Sequence, residues 1–213
     1  MTLLDLSPDE LLSTTRSVRL RLDLERPVDR ALLEECLDLA QQAPTGGNQQ
    51  SWSFVVVTDA DLRRELGALY KRGWDAYRRE VAARAAGAAP SSATIRVYRS
   101  AQYLADHMGE VPMMLIPCIA GRTENAAIDV QAAVWGSILP AAWSFMLAAR
   151  ARGLGACWTT LHLRHEREAA ELLGIPYADV MQTALIPVAH TIGDEFRPGE
   201  RKPLSSIVHW DTW

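Results

Sequence analysis

The chain has 213 residues, 48% of them hydrophobic and 23% charged, the balance of a single ordinary globular domain with enough apolar residues for a sizeable core. Its 22 basic and 26 acidic side chains leave a net charge of −4, which excludes the broad basic footprint of a nucleic-acid-binding protein while allowing a local basic pocket. Cys36, Cys118 and Cys157 are odd in number, widely spaced and without a Cys-x-x-Cys pair. That pattern argues against a disulfide framework or a zinc cluster and for a reducing, cytoplasmic setting.

The amino terminus carries acids where an export signal needs a basic region. Ser7-Pro8-Asp9-Glu10 then supplies a capping hydroxyl, a proline at the first helical position and a glutamate three residues past the cap, so a helix opens there and runs to about Thr15. Beyond Arg16-Ser17-Val18-Arg19 the chain extends through Pro27. Leu32, Leu33, Cys36, Leu39 and Ala40 recur at helical spacing from Asp29 until Pro44 stops the helix. The loop Thr45-Gly46-Gly47-Asn48-Gln49-Gln50 leads to a buried strand at residues 54–57, and Thr58 is placed to cap the helix holding Leu62, Leu66 and Leu69. Residues 73–107 read as two helices around a small-residue loop at 87–93, a place for a lid. Residues 113–120 make a second buried strand despite Pro117.

Residues 130–149 are almost uncharged and match the ~20 residues of a membrane span. Gln131, Ser137, Pro140 and Ser144, with no polybasic flank, favour instead a helix buried in a soluble protein, with a second subunit as one means of burial. Pro140 is expected to kink it or interrupt its hydrogen-bond ladder. Gly153-Leu154-Gly155 turns into a strand at 156–160, a charged amphipathic helix covers about 164–173 and ends at Gly174, and residues 180–188 form another strand. The tail, residues 193–213, carries Ile207, Val208, Trp210 and Trp213. It is too apolar to stay solvated and is expected to dock on the body or on a neighbouring subunit.

The common catalytic motifs are missing. Gly153-x-Gly155 is not continued as a dinucleotide fingerprint and leads into a strand, and no phosphate-binding Gly-x-x-x-x-Gly-Lys loop, nucleophile elbow or zinc-protease motif occurs. His162 and His165 have no evident third ligand and read as solvated surface histidines. Cys157, inside an apolar strand, reads as core rather than nucleophile. Two other pieces remain. Arg16-Ser17-x-Arg19 offers two guanidiniums and a hydroxyl suited to bidentate phosphate binding, or simply a solvated face. Residues 43–52 place Asn48 and Gln50 just before an apolar strand, where unpaired amides would cost about 1–3 kcal/mol each, so they need a partner unless the loop is purely structural.

Taken together, Arg16-Ser17-Val18-Arg19, the Ala-Pro-Thr-Gly-Gly-Asn-Gln-Gln-Ser-Trp loop at 43–52, the Gly-Leu-Gly-x-x-Trp stretch at 153–158 and Arg201-Lys202-Pro203-Leu204 resemble the FMN-dependent nitroreductase family, in the family's order and across nearly the whole chain. The resemblance implies an α+β fold with a mostly antiparallel central sheet surrounded by helices, in an intertwined homodimer. It further implies that Arg16, Ser17 and Arg201 hold the FMN phosphate with Lys202 beside them, and that Arg19 lies near the flavin's pyrimidine edge or shares the phosphate. Pro44, Thr45, Gly46, Asn48 and Gln50 would reach the flavin from the neighbouring subunit. Thr159, Thr160 and Leu161 would pass along the ring system and offer it a backbone N–H. The chain departs from the family pattern at Ser51, where proline is usual, and at Thr15, where many members have a basic residue.

A flavin already contains the electron-transfer chemistry, so the protein needs to bind, orient and tune it, which accounts for the missing triad. The expected activity is NAD(P)H-dependent ping-pong reduction of nitroaromatic, quinone or similar small molecules, with NADH or NADPH as a transient donor and no membrane or nucleic-acid partner. The same scaffold also admits a flavin-dependent oxidase, dehydrogenase or reductive dehalogenase, or a flavin-binding protein without turnover.

Overall fold

The computed structural model describes residues 3–84 and 91–213. Its six α-helices among the described residues are α1 (Pro8–Thr14), α2 (Arg30–Ala40), α3 (Ala60–Arg84), α4 (Ser92–His107), α5 (Ile128–Ala151) and α6 (Glu166–Leu173). The strands are β1 (Trp52–Val57), β2 (Met113–Ala120), β3 (Leu154–Ala156), β4 (Val180–Gln182) and β5 (Ile186–His190), joined in one antiparallel sheet of order β1-β2-β5-β3, with β4 also pairing β2. The α+β architecture with an antiparallel sheet that the resemblance implies is present.

The period of two along β2 divides the core. Met114, Ile116 and Cys118 point to one face, where Leu66, Leu69, Tyr70, Trp74, Leu104, Ala169 and Ala170 of α3, α4 and α6 cover them. Met113 and Leu115 point to the other, against Leu33, Cys36 and Ala40 of α2 and Ala142, Phe145 and Ala149 of α5. Among the described residues, β2 is the only strand paired on both sides along most of its length, and Pro117 sits in it, opposite Phe54 of β1.

The expected single strand at 180–188 is therefore two. On the side of β2 away from β1, β4 pairs with residues 118–120 and β5 with residues 113–115, leaving three residues, Thr183, Ala184 and Leu185, opposite two, Ile116 and Pro117. A proline has no N–H to continue the ladder. The bulge lets Thr183 give both its backbone N–H and its hydroxyl to the Pro117 carbonyl, each at 2.9 Å.

Other boundaries also shift. Ser7 caps α1 with both halves of the capping box formed. Asp59, not Thr58, caps α3: its Oδ1 accepts from the N–H groups of Asp61 and Leu62, which a carboxylate does better than a hydroxyl one residue farther back. α2 ends at Ala40, ahead of Pro44, because the residue before a proline avoids helical backbone and the chain turns early. α3 runs unbroken through Gly73 to Arg84, while most of the proposed lid loop at 87–93 lies outside the described residues. The strand expected at 156–160 is β3, at 154–156. It pairs with β5 only that far, after which the chain turns outward.

α5 is long and apolar enough to cross a membrane. It continues on both sides of Pro140 rather than being interrupted there; only the Gly136 carbonyl, one turn back on an exposed face, loses its donor. The second half is packed on α2 and the sheet, whereas the first half exposes Ile128 and Val130. The tail, too, lies off the body of its own chain: Leu204, Ile207, Trp210 and Trp213 are all exposed, Trp210 by 85%.

Candidate functional site

The segment after α1 is drawn to the sheet by the Val18 N–H, which donates to the Ala156 carbonyl at 2.9 Å at the end of β3. With Val18 buried, Arg16, Ser17 and Arg19 are left around a cleft of about 450 Å³, closed on its far side by Glu195, Phe196 and Arg197. Arg16 Nη1 donates to the Arg197 carbonyl at 2.9 Å. Arg21 Nε and Nη1 donate to the carbonyls of Ile192 and Glu195, both at 2.7 Å, and Arg150 Nη2 to that of Asp194 at 2.8 Å. Three guanidiniums thus clamp the root of the tail through its backbone.

The clamp brings Arg201 back to Arg16. A Cβ built on Gly199 would meet Arg201 Nη1 at 2.5 Å and Arg16 Nη1 at 2.8 Å, so glycine leaves the space in which two guanidiniums from opposite ends of the chain converge. Among the described residues, neither Arg16, Arg19 nor Arg201 makes an ion pair with a carboxylate. Two like charges so close repel by on the order of 1 kcal/mol even in water-like surroundings. A bound dianion removes that repulsion and supplies the missing acceptors. The residues fit a phosphate. Lys202 lies in the exposed stretch beyond and is not brought into this pair by any hydrogen bond among the described residues.

Arg19 also lines a second cleft, of about 420 Å³, so one cation stands at the junction of the two. One wall of this second cleft is Trp158, Thr159, Thr160 and Leu161. Thr159 is fixed from behind: its carbonyl accepts from the Leu185 N–H at 2.8 Å and its hydroxyl donates to the Leu185 carbonyl. The opposite wall is aromatic, with Tyr70, Trp74 and Tyr77 at helical spacing along α3 and Tyr98 on α4. Gly73 sets how closely the walls approach, since a Cβ there would lie 2.2 Å from the Leu161 carbonyl oxygen. Neither Gly73 nor the aromatic row was expected as part of the site, although the 70, 74, 77 spacing is visible in the sequence.

The loop with Pro44, Thr45, Gly46, Asn48 and Gln50 lines neither cleft. It rests on the first half of α5, where the Gly46 N–H donates to Ser137 Oγ at 3.0 Å. Asn48 and Gln50, the amides expected to need a partner, meet each other within this chain. Both are exposed, and Gln50 Nε2 donates to Asn48 Oδ1 at 3.0 Å. Their backbones are left-handed, with φ of 54° at Asn48 and 48° at Gln50, conformations that cost roughly 1–3 kcal/mol each and collect at functional sites.

His162 departs from its expected place at the surface. It is fully buried rather than solvated, with neither ring nitrogen hydrogen-bonded, and burial pushes its pKa down to about 3. Position 162 falls on the inner face of the turn that follows Thr160, which no helical or strand period revealed. His165 instead lies at the surface, its Nδ1 2.7 Å from Glu168 Oε1. Among the described residues no three His, Cys, Asp or Glu side chains gather as a metal site. Cys157 is buried, and that burial raises its thiol pKa, as expected for a core cysteine.

The family model for the Nitroreductase family matches residues 12–190, and the chain belongs to that family. An NADH dehydrogenase of Thermus thermophilus is 29% identical over 200 residues, 86% of this chain and 87% of that protein. Among solved structures, an iodotyrosine deiodinase bound to FMN and 3-iodo-L-tyrosine superposes with a TM-score of 0.72 at 19% identity, over 96% of this chain and 99% of that one. The FMN- and NADPH-dependent nitroreductase NfnB from Sphigopyxis sp. strain HMH superposes with a TM-score of 0.70 at 24% identity, covering 98% and 100%.

Proposed function

We propose that this chain is an FMN-dependent NAD(P)H oxidoreductase that reduces electron-poor small molecules of the nitroaromatic or quinone type, working as a homodimer. The observation that carries the reading is the convergence of Arg16 and Arg201 around Gly199, at one end of a pair of clefts joined through Arg19. The relatives named for NADH dehydrogenase and for FMN- and NADPH-dependent nitroreductase activity support it.

In this reading Arg16, Ser17 and Arg201 grip the cofactor's phosphate. Arg19 supplies a positive charge at the junction, which favours the electron-richer form of a group spanning both clefts. Residues 159–161, braced by Leu185, form a rigid floor for its ring system. FMN, when bound, supplies the two-electron chemistry, so no side-chain nucleophile or dyad is required. The loop carrying Pro44, Thr45, Gly46, Asn48 and Gln50 completes the site of a partner subunit. That assignment accounts for strained, exposed residues that face neither cleft of their own chain, and for the uncovered first half of α5 beneath them.

Anaerobic titration of the FMN-saturated protein with NADH and with NADPH tests the function. Loss of the flavin's visible absorption, restored by a nitroaromatic acceptor, is the expected result. A protein that retains no FMN would overturn the proposal, and bleaching by an added chemical reductant but by neither nicotinamide would replace the reductase with another flavin activity.

A further inference from the structure

Side chains, not a backbone ladder, hold the root of the tail. Among the described residues, no backbone-to-backbone hydrogen bond ties residues 193–202 to the rest of the chain. Three guanidiniums serve instead: Arg150 Nη2 takes the carbonyl of Asp194, Arg21 Nη1 that of Glu195 and Arg16 Nη1 that of Arg197. Glu195, Phe196 and Arg197 line the first cleft and also a cavity of about 590 Å³ that reaches Leu4, Glu10 and Thr14, so this strap borders two open spaces. Asp194, Glu195 and Arg197 are exposed, and Phe196 is the strap's one contact with the core.

Arg150 is the odd member of the three. It is only 4% exposed, whereas Arg16 and Arg21 are half-buried. Its Nε and Nη1 have no hydrogen-bond partner, and among the described residues no carboxylate forms an ion pair with it. Burying a cation so incompletely bonded is costly, and an apolar side chain of similar size often folds as well or better. What arginine adds is seen at Phe196. The guanidinium carbon of Arg150 stands 4.7 Å from the ring centroid and that of Arg21 4.1 Å. The same two side chains therefore hold the ring and bond the carbonyls of Asp194 and Glu195. A planar guanidinium can sit over a ring while its N–H groups donate, a combination that an apolar side chain lacks.

We infer that Arg150 is a positioning residue for the cofactor's phosphate: through Asp194 and Phe196 it sets where Arg197 lies, and with it the Arg16 guanidinium bonded to the Arg197 carbonyl. The inference rests on the flavin reading above and extends the grip on FMN to a buried side chain that lines neither cleft. Arg16 and Arg201 converge around Gly199 only while the strap keeps its path. One hydrogen bond and one ring contact at Arg150 thereby decide whether the phosphate meets two guanidiniums or one.

Flavin-free protein titrated with FMN and with riboflavin, which lacks the phosphate, provides the test, read by flavin fluorescence. Arg150→Met should raise the FMN dissociation constant roughly tenfold, the worth of one lost contact to a charged group, and leave that of riboflavin unchanged. Its unfolding midpoint in denaturant, without flavin, should equal or exceed that of wild type, because the freed carbonyl belongs to the exposed Asp194 and turns to water. Arg150→Lys, which keeps the charge and a donor, should recover part of the FMN affinity. Phe196→Leu should show the same split between the two flavins. Unchanged FMN affinity in Arg150→Met, or an equal loss for both flavins with a lower unfolding midpoint, would overturn the inference while leaving the flavin assignment standing. If Arg150→Met does not fold, Arg150→Lys and Phe196→Leu decide on the same ratio of FMN to riboflavin affinity. Wild-type protein that binds riboflavin as tightly as FMN would instead refute the phosphate grip itself, and protein that binds neither would end both readings.

Discussion

At the scale of single residues, an unpartnered group behaves differently at the surface and in the core. Arg16 and Arg201 face each other without a carboxylate and have solvent to screen them until an anion arrives. His162 has no such recourse: fully buried and unpartnered, it stays neutral in the folded chain. In the unfolded chain it takes up a proton near pH 6.5, whereas the folded form refuses one until about pH 3. The unfolded state therefore binds more protons in that window, and stability falls as the pH drops through it, with a slope of up to about 1.4 kcal/mol per pH unit. His190, whose pKa burial also lowers, acts in the same direction, so the measurement is a difference. Denaturant unfolding of wild type and His162→Leu between pH 7 and 5 should show a shallower acid slope in the variant. Parallel slopes would mean that water or a neighbour reaches the ring. A lone histidine beside a run of surface charges gave no clue to this burial, because which side of a turn faces inward is decided by tertiary packing.

At the scale of elements, periodicity located nearly every helix and strand, and the exceptions have local causes. Proline in the sheet's central strand split the run at 180–190 by forcing a bulge, and a carboxylate at Asp59 took the cap from Thr58. The pairing of α3 with the turn after Thr160 was not legible, because a glycine within a helix marks either weakness or close approach, and only the fold says which. Gly73 is the close approach. Gly73→Ala would set a methyl group 2.2 Å from the Leu161 carbonyl, and neither backbone can yield without moving the cleft's floor. The variant should lose roughly 1–3 kcal/mol of stability and a measurable part of its FMN affinity, read by denaturant unfolding and by flavin fluorescence on titration. Full stability with normal cofactor uptake would show that α3 is free to withdraw.

At the scale of the whole molecule, half of the resemblance-derived site assembles within one chain and half does not. Arg16, Ser17, Arg19 and residues 159–161 line the two clefts, with Arg201 beside Arg16; Pro44, Thr45, Gly46, Asn48 and Gln50 stand apart on α5. Residues distant in sequence could be grouped by their chemistry, but nothing in their order tells which belong to one copy. Arg201→Ala and Asn48→Ala should each weaken FMN retention, the former by a contact worth about 1.5–3 kcal/mol. Dimers mixed from the two variants should regain one intact site each, counted as one FMN per purified mixed dimer. Mixed dimers with no recovered flavin would place the whole site within a single chain.

On the proposed reading, the guanidinium of Arg16 serves both the cofactor phosphate and the root of an apolar arm, which it holds through the Arg197 carbonyl. On that reading, a substitution that removes the Arg16 guanidinium takes a contact from the cofactor and, in the same stroke, unties the root of the arm that ends in Trp210 and Trp213.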